Sequence, residues 1–290
     1  MELINTILAH SNYVLGLGFI PDGSMLISTG MDNVIKYWKF PSFELYNTIK
    51  EHSKSVNSIS ISRDGSKFAT SSTDLTAKLW DFQSAKIIHN LKGHKKTVIA
   101  ADISPNSQYI ATGSYDGKIK LWSINDGSEI LTINAFERNV TSINFSPDGK
   151  YLAGGGLGDS YYIWEIPSGN EINKYSEHEI VVSGVRYSPN GRYFVSIGSS
   201  TLKIWDTTSW ENINTISFDS KYPRPNIISP DSRIIAIGFD YKIILWNIED
   251  GELLETIDVK PKGVDSLCFS PDGKMLLMGA ADKKIRVWKF

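Results

Sequence analysis

Three sets of residues in this sequence combine a histidine, a hydroxyl side chain and a carboxylate, the combination that hydrolytic enzymes use to activate a nucleophile. In each set the hydroxyl follows the histidine by 18 residues, the aspartate by 22 and a tryptophan by 28. The sets are His10, Ser28, Asp32 and Trp38; His52, Thr70, Asp74 and Trp80; and His94, Thr112, Asp116 and Trp122. An enzyme needs one such site, whereas these recur every 42 residues, so we interpret them as architecture and predict no catalytic residue.

The repeat that carries these sets runs through the whole chain and is marked by tryptophan. Seven of the eight tryptophans are separated by 41 or 42 residues, and only Trp210 falls outside the series. Turn-forming tetrapeptides such as Ser146-Pro147-Asp148-Gly149 recur with the same spacing. Two markers in step over 290 residues predict seven repeats of one structural unit. The marker tryptophans are Trp38, Trp80, Trp122, Trp164, Trp205, Trp246 and Trp288.

Each repeat predicts four short strands. In the third repeat, residues 97–104, 108–113, 118–122 and 129–133 are short runs rich in apolar and β-branched residues, and turn-forming residues separate them. Residues 118–122 alternate between polar and apolar, which is typical of a half-buried strand. No stretch shows a sustained helical period. Such a four-stranded antiparallel sheet exposes two apolar faces, so neighbouring units must cover one another, and a ring of blades achieves this.

The repeats resemble those of the WD-repeat (WD40) family. The naming dipeptide is present at Trp80-Asp81 and Trp205-Asp206, and the Gly-His signature at Gly93-His94, although the other five marker tryptophans lack the following aspartate. The resemblance covers essentially all of the chain. It implies an all-β fold, a seven-bladed β-propeller of four-stranded antiparallel blades, in which the three sets of residues form structural hydrogen-bond chains from tryptophan to hydroxyl to histidine to aspartate.

The later repeats depart from this set, so the complete network is not expected in them. In the fourth repeat Phe136 stands in the place of the histidine and Asp159 is displaced by one position. The fifth has His178, but Ser199 or Ser200 occupies the place of the aspartate. The sixth and seventh keep Asp240 and Asp282 without a histidine nearby. We therefore expect blades four to seven to depend more on packing.

The two ends of the chain are predicted to meet in one blade. The seventh repeat ends two residues after its tryptophan, and residues 2–7 match residues 44–49 at five of six positions. Residues 2–8 should therefore supply the outer strand of the last blade, beside residues 284–290, so that residues 1–290 form one propeller domain without an open sheet edge.

Three other features could carry chemistry but favour structural roles. The glycine-rich run at 154–158 lacks the helix start and the Lys-Ser/Thr pair of a phosphate loop. Cys268 lies in a predicted first strand, and His89 has no companion ligand at useful spacing. We therefore predict neither a metal site nor a cofactor.

Loop residues on one face of the ring are the candidates for binding a partner. In WD-repeat propellers the top face gathers the turn before the structural aspartate and two positions early in the first strand. At these positions the large side chains are concentrated in blades six and one, which favours an extended peptide docking there; the alternative is packing against adjacent loops. The candidates are Tyr13, Leu15, Met31, Tyr115, Tyr222, Arg224 and Phe239.

Composition and charge narrow the possible functions. Thirty basic against 32 acidic residues give a net charge of -2, so no basic field attracts nucleic acid, and we expect no nucleic-acid partner. The single cysteine fits a reducing compartment, and no secretory signal or long apolar run is present. We expect a cytoplasmic protein, and the sequence leaves a nuclear location open.

These observations favour a non-enzymatic scaffold for protein or peptide partners within a larger complex, with no membrane contact and no obligatory homo-oligomer. Two alternatives remain open on the sequence. One is an enzyme built on a propeller, with an axial site. The other is a reader of a modified, phosphorylated or ubiquitin-like ligand.

Overall fold

The computed structural model describes residues 1–218, 223, 225–239, 241–259 and 263–290, and every regular element in these ranges is a β-strand. The strands form seven four-stranded antiparallel sheets, so the predicted seven-bladed propeller is confirmed. The blades are numbered one to seven in the order of their marker tryptophans along the chain. Within the described ranges no helix is long and apolar enough to span a bilayer.

The strands follow one another in the same order in each blade. Blade one has β2 (Val14–Phe19), β3 (Met25–Gly30), β4 (Ile35–Lys39) and β5 (Leu45–Ile49). Blade two has β6 (Val56–Ile61), β7 (Lys67–Ser72), β8 (Thr76–Asp81) and β9 (Ile87–Lys92). Blade three has β10 (Val98–Ile103), β11 (Tyr109–Ser114), β12 (Lys118–Ser123) and β13 (Glu129–Asn134). Blade four has β14 (Val140–Phe145), β15 (Tyr151–Gly156), β16 (Ser160–Glu165) and β17 (Glu171–Ser176).

The remaining blades repeat this plan, with a short first strand in blade six. Blade five has β18 (Gly184–Tyr187), β19 (Tyr193–Ile197), β20 (Thr201–Asp206) and β21 (Asn212–Ser217). Blade six has β22 (Asn226–Ile228), β23 (Ile234–Gly238), β24 (Lys242–Asn247) and β25 (Leu253–Asp258). Blade seven has β26 (Val264–Phe269), β27 (Met275–Ala280), β28 (Lys284–Lys289) and, from the other end of the chain, β1 (Glu2–Leu8).

The ring is closed by pairing between the two ends of the chain, as the sequence predicts. β1 pairs with β28 in antiparallel register, from Glu2 opposite Lys289 to Leu8 opposite Lys284, with an irregularity between Leu3 and Asn5. The outer edge of β28 is therefore paired along its length.

The core lies between neighbouring blades. Trp80 of blade two stacks on Phe68 with ring centroids 5.7 Å apart, and Tyr37 of blade one meets Phe68 edge-on at 5.9 Å. All seven marker tryptophans are at most 5% exposed. Each blade thus buries its face against the next, which an isolated four-stranded sheet could not do.

Two kinds of turn define the two faces of the ring. The turn between the first and second strands is fixed by its own side chains: in blade four Ser146 Oγ donates to Asp148 Oδ1 at 2.6 Å and accepts from Tyr151 N at 2.9 Å. Gly149 adopts φ +71° there, a conformation that favours glycine. We call the face with these turns the bottom face. The top face carries the turns between the second and third strands.

Candidate functional site

The hydrogen-bond chain of blade two joins a tryptophan, a threonine, a histidine and an aspartate. His52 Nδ1 lies 2.8 Å from Asp74 Oδ2, His52 Nε2 lies 2.8 Å from Thr70 Oγ1, and Trp80 Nε1 donates to the same Thr70 oxygen at 2.9 Å. Because a carboxylate only accepts, the neutral ring donates from Nδ1 and accepts the Thr70 proton at Nε2. Every donor in the chain therefore meets an acceptor.

Blades one and three contain the same arrangement. In both, the histidine Nε2 lies 2.8 Å from the hydroxyl oxygen, and the tryptophan Nε1 donates to that oxygen at 2.8 Å. The Nδ1 distances are 2.9 Å from His10 to Asp32 and 3.1 Å from His94 to Asp116 Oδ2. Ser28 and Thr112 are fully buried. These hydroxyls already donate and accept inside the blade, so none is presented to a substrate as a nucleophile.

The aspartates of these chains are held ionised. Burial acts to raise the pKa of Asp32, but hydrogen bonds from His10 and the Ser11 N–H outweigh it, and the pKa lies at about 2. The same balance lowers the pKa of Asp74, where Thr76 adds a hydrogen bond. Each aspartate thus ties the loop before a first strand to the turn before a third strand.

Blade five departs from the expected partner. His178 Nε2 lies 2.9 Å from Ser196 Oγ, to which Trp205 Nε1 donates at 3.1 Å. His178 Nδ1, however, contacts Thr201 Oγ1 at 3.1 Å, whereas Ser199 Oγ is buried and finds no partner among the described residues. The sequence placed Ser199 or Ser200 in this role because they align with the aspartates of the other blades. Thr201, at the start of β20, takes it instead.

Blade four replaces the polar chain by aromatic packing. Gly154 stands where other blades have the hydroxyl residue, and a Cβ there would lie 2.7 Å from a ring carbon of Trp164. A Cβ on Gly156 would lie 2.6 Å from the ring of Phe136, which meets Tyr162 edge-on at 5.3 Å. The first three residues of the glycine-rich run therefore end β15 and let aromatic rings approach its backbone closely, in agreement with the structural interpretation.

Blade seven replaces the histidine by an arginine. Arg286 in β28 makes two hydrogen bonds to the Asp282 carboxylate, one of them 3.1 Å long from Nη1 to Oδ1. Asp240 of blade six lies outside the described residues. The aspartate position in blade seven thus keeps a buried cationic partner without the repeat's histidine.

The central channel opens on the top face into a cavity of about 720 Å³. Leu15, Met31 and Tyr115, three of the predicted partner-binding residues, line it. Tyr13, a fourth, is 41% exposed beside them, and its carbonyl accepts the Met31 N–H at 2.9 Å. Residues at the matching positions of other blades also line it: Asn57, Thr73, Ile99, Thr141, Ser183 and Asp265.

Of the three partner-binding residues predicted in blade six, the structure describes only Phe239. Phe239 is only 7% exposed and packs edge-on against Phe218 at 5.1 Å, so its prediction as a partner-binding residue is wrong. The sequence showed an aromatic residue in a turn, but the ring points into the core between blades five and six. Tyr222 and Arg224 lie outside the described residues.

Asp265 is the one acidic residue at these top-face positions. Its Oδ2 atom is buried without a hydrogen-bond partner in the described part of the chain. Burial raises the pKa of Asp265 to about 6. A carboxylate without a partner attracts a cation or a hydrogen-bond donor from outside the chain.

A polar belt deeper in the channel was not predicted. Asp102 on β10 accepts from Ser60 Oγ at 2.9 Å and from Asn144 Nδ2 at 3.0 Å, so it links the inner strands of blades two, three and four. Burial raises the pKa of Asp102 and lowers that of Arg186, each opposed by the charge of the other. Ser60, Asp102, Asn144 and Arg186 are spaced by 42 residues, which is the signal that could have found them.

Cys268 and His89 have structural surroundings. Burial raises the pKa of the Cys268 thiol to about 12, so it stays protonated. His89 Nε2 lies 3.1 Å from the Ile124 carbonyl oxygen, to which it can donate. Over the ranges that the structure describes, no group of three or more His, Cys, Asp or Glu could hold a metal ion.

Comparison with known proteins gives the family. The model of the WD domain, G-beta repeat, matches six segments, residues 1–39, 43–81, 85–123, 127–165, 169–206 and 251–289. WD repeat-containing protein 3 from Homo sapiens is 31% identical over 97 residues, 33% of this chain and 10% of that protein. Pre-rRNA-processing protein IPI3 from Mycosarcoma maydis is 41% identical over 61 residues, 21% of this chain and 10% of its own length.

A third relative is shorter, but again only part of it is matched. Small ribosomal subunit protein RACK1y from Oryza sativa subsp. japonica is 27% identical over 89 residues, 30% of this chain and 26% of that protein. The matches therefore span about a quarter or less of the length of these relatives. The family model, in contrast, covers most of the chain, and the chain belongs to the WD-repeat family.

Proposed function

We propose that this chain is a non-enzymatic scaffold that binds an extended segment of a partner protein across the top mouth of its central channel. The observation that carries the proposal is the cavity of about 720 Å³, which residues at equivalent positions of several blades line together. A concave, mostly preformed site with a few polar groups is where binding is expected on a rigid scaffold.

The large side chains at the mouth favour the side of blades one to three. Met31 and Tyr13 are each 41% exposed, and Leu15 and Tyr115 are half-buried beside them. Aromatic residues and methionine are enriched at protein interfaces because they bury much area. We therefore propose an anchor at blades one to three, whereas the sequence predicted one at blades six and one; Tyr222 and Arg224 of blade six lie outside the described residues.

Polar groups between these side chains could bind the backbone of a partner. Thr73 Oγ1 donates to Asn57 Oδ1 at 3.2 Å, and Asn57 Nδ2 donates to the Val98 carbonyl at 2.8 Å. The pair is thereby oriented before a partner arrives, which lowers the entropic cost of binding. Across the mouth, the Asp265 carboxylate, whose Oδ2 meets no hydrogen-bond partner among the described residues, favours a cationic group over a phosphate.

The names of the relatives favour a role for this chain as a subunit of a larger assembly. IPI3 is named for pre-rRNA processing, and RACK1y is named as a small ribosomal subunit protein. A further relative, Pre-mRNA-processing factor 17 from Homo sapiens, is 28% identical over 93 residues, 31% of this chain and 16% of that protein. We infer that this chain likewise acts as one subunit among several proteins. Of the two compartments expected from the sequence, the processing factors favour the nucleus over the cytoplasm.

Affinity purification with chemical cross-linking and mass spectrometry tests this proposal. The wild-type chain should capture a partner that the double variant Met31→Ser, Tyr115→Ala does not, because both side chains line the mouth. Tyr46→Ala is the matched control, since Tyr46 is 64% exposed on the outer strand of blade one. All three proteins should have the same thermal stability. Equal capture by the double variant and the wild type would show that the mouth is not the binding site.

A further inference from the structure

One position of the repeat closes the bottom face between neighbouring blades. It lies two residues after each marker tryptophan and holds phenylalanine or isoleucine in six blades. In the fifth blade it holds Thr207. The six apolar residues are Phe40, Phe82, Ile124, Ile166, Ile248 and Phe290.

Except for Phe290, which is 47% exposed, these apolar residues pack in the junction with the preceding blade. Ile248 of blade six is fully buried and packs with Tyr193 and Ile204 of blade five. Ile124 and Ile166 are each 8% exposed in the corresponding clusters of blades three and four. Thr207 cannot do the same, because it is smaller and its hydroxyl donates to the Gly191 carbonyl at 2.5 Å.

A cavity of about 510 Å³ opens where the large side chain is absent, on the bottom face between blades four and five. Its apolar wall includes Ile163, Tyr151 and Ile172, of which Ile172 is 48% exposed at the rim. Tyr187 also lines it and is 7% exposed, yet its hydroxyl has no hydrogen-bond partner among the residues that the structure describes.

Trp210, the tryptophan outside the repeat spacing, forms another wall. It adopts φ +57°, at the turn position where three other blades have a glycine with positive φ. A bulky side chain in this conformation is uncommon. Its ring stacks on Tyr175 at 5.5 Å and contacts Phe194 at 5.6 Å, so the wall is held rigidly beside the cavity.

Asp148 gives the rim its charge. Its Oδ1 accepts from Ser146 Oγ at 2.6 Å and from Lys150 N at 3.0 Å, and no described residue hydrogen-bonds to Oδ2. Of the described residues that line the cavity, Asp148 alone is charged. The site therefore combines an apolar interior with a carboxylate at its edge.

We propose that this cavity binds a large apolar side chain of a protein partner that carries a basic residue next to it. The apolar side chain would occupy the space that phenylalanine or isoleucine fills in the other blades, and the basic residue would pair with Asp148. The two requirements come from shape and from charge complementarity. The site is on the opposite face from the channel mouth, so it does not depend on the function proposed above.

Capped tetrapeptides test the proposal without knowledge of the natural partner. The probes are Gly-Phe-Lys-Gly, Gly-Ala-Lys-Gly without the apolar group, and Gly-Phe-Glu-Gly with the opposite charge. The readout is the indole N–H resonance of Trp210 in ¹H–¹⁵N spectra, assigned by its loss in Trp210→Phe. Gly-Phe-Lys-Gly should shift this resonance in a saturable way, and the other two peptides should bind at least several-fold more weakly.

Four variants separate filling of the cavity and charge recognition from other effects. Thr207→Ile should abolish the shift because it restores the side chain of the other blades, whereas Thr207→Ala, which also lacks the hydroxyl, should retain it. Thr208→Ile is the matched control, since Thr208 is exposed and does not line the cavity. Asp148→Asn should remove the preference for lysine over glutamate. No saturable shift in the wild type, or an equal shift in Thr207→Ile, would overturn the proposal.

Discussion

His178 Nδ1 lies 3.1 Å from the hydroxyl of Thr201, whereas the same nitrogen of His52 lies 2.8 Å from a carboxylate oxygen of Asp74. The histidines occupy equivalent positions in blades five and two, and both are buried. A hydroxyl offers a dipole where the carboxylate offers a full charge, so it stabilises an imidazolium far less. Burial, with the nearby charge of Lys203, lowers the pKa of His178 to about 4.

We predict that His178 makes the fold sensitive to mild acid. Its pKa is 6.5 when unperturbed and about 4 when folded, so the unfolded chain takes up the proton first as the pH falls. The stability that neutral His178 contributes is therefore fully present above pH 6.5 and is lost as the pH falls from 6.5 to 4. Each unit of pKa difference corresponds to about 1.4 kcal/mol in the free energy of unfolding. Urea unfolding at pH 7.5 and 5, with ¹³C or ¹⁵N titration of the ring, measures both quantities.

His178→Gln provides the control for this pH dependence. The variant loses hydrogen bonds and is less stable at neutral pH, but its stability should fall less than that of the wild type between pH 6.5 and 5. A His178 ring that titrates near 6.5 in the folded protein would contradict the prediction.

Asp74→Ala should destabilise the protein by about 1–3 kcal/mol, the cost of breaking a buried hydrogen-bond network. The substitution leaves His52 Nδ1 and the Ser53 N–H without their carboxylate. Chemical unfolding at pH 7 measures the change. Asp258→Ala, on an exposed position of β25, should change stability by less than about 0.5 kcal/mol. A loss for Asp74→Ala as small as that of the control would mean that the network contributes nothing to folding.

The repeat spacing explains why so much of the fold was predictable from sequence. Trp80 and Thr70 meet because the register between the second and third strands, here β7 and β8, brings these two positions together. The ten residues that separate Thr70 from Trp80 can be read from the sequence alone. Ring closure was predictable for a related reason. β1 repeats the residues of β5, the fourth strand of blade one, so its expected partner was the third strand of a blade that had no fourth strand of its own.

What could not be predicted is the direction of individual side chains. Phe239 follows β23 in a turn whose equivalent residue is exposed or half-buried in the other blades, but its ring packs inward against Phe218. Likewise Thr201, not Ser199, reaches His178, although Ser199 aligns with the aspartates. Such choices depend on local volume and hydrogen-bond partners, which repeat alignment does not contain.

Asp265→Asn should stabilise the protein above about pH 6 and have little effect near pH 4. Burial raises the pKa of Asp265 from 3.8 to about 6, so the folded state holds the proton more tightly than the unfolded state. Stability therefore falls as the pH rises from 3.8 through 6, and the variant lacks this loss. Thermal melting of the wild type and Asp265→Asn at pH 4, 5, 6 and 7.5 measures this pH dependence, with Asp258→Asn as the control. A stability difference between Asp265→Asn and wild type that does not change with pH would contradict it.

Removing residues 1–8 should lower the melting temperature sharply. The deletion takes away β1, exposes the edge of β28, and removes Ile7, which packs against the core residues Leu277, Ile285 and Val287. An unpaired edge also promotes association between chains. Differential scanning calorimetry and light scattering measure the two effects. A synthetic peptide of residues 1–8, added in excess, should restore part of the lost stability, whereas the same composition in scrambled order should not.

Gly154→Ser tests whether blade four has exchanged hydrogen bonding for packing. The serine would restore the hydroxyl that blades one to three have at this position, so an architecture based on that network predicts a gain in stability. The structure predicts a loss, because the new Cβ would lie 2.7 Å from Trp164 and 2.9 Å from Ile119. Overpacking of this kind costs about 1–3 kcal/mol.

A double-mutant cycle with Trp164→Phe separates this clash from a general intolerance of serine in β15. The smaller ring gives the new Cβ more space, so the double variant should lose at least about 0.5 kcal/mol less than the sum of the two single variants. Equilibrium unfolding of the four proteins gives the coupling energy. Additive losses would place the cost of Gly154→Ser outside the contact with Trp164, and a gain in stability would show that the hydroxyl can still be used in this blade.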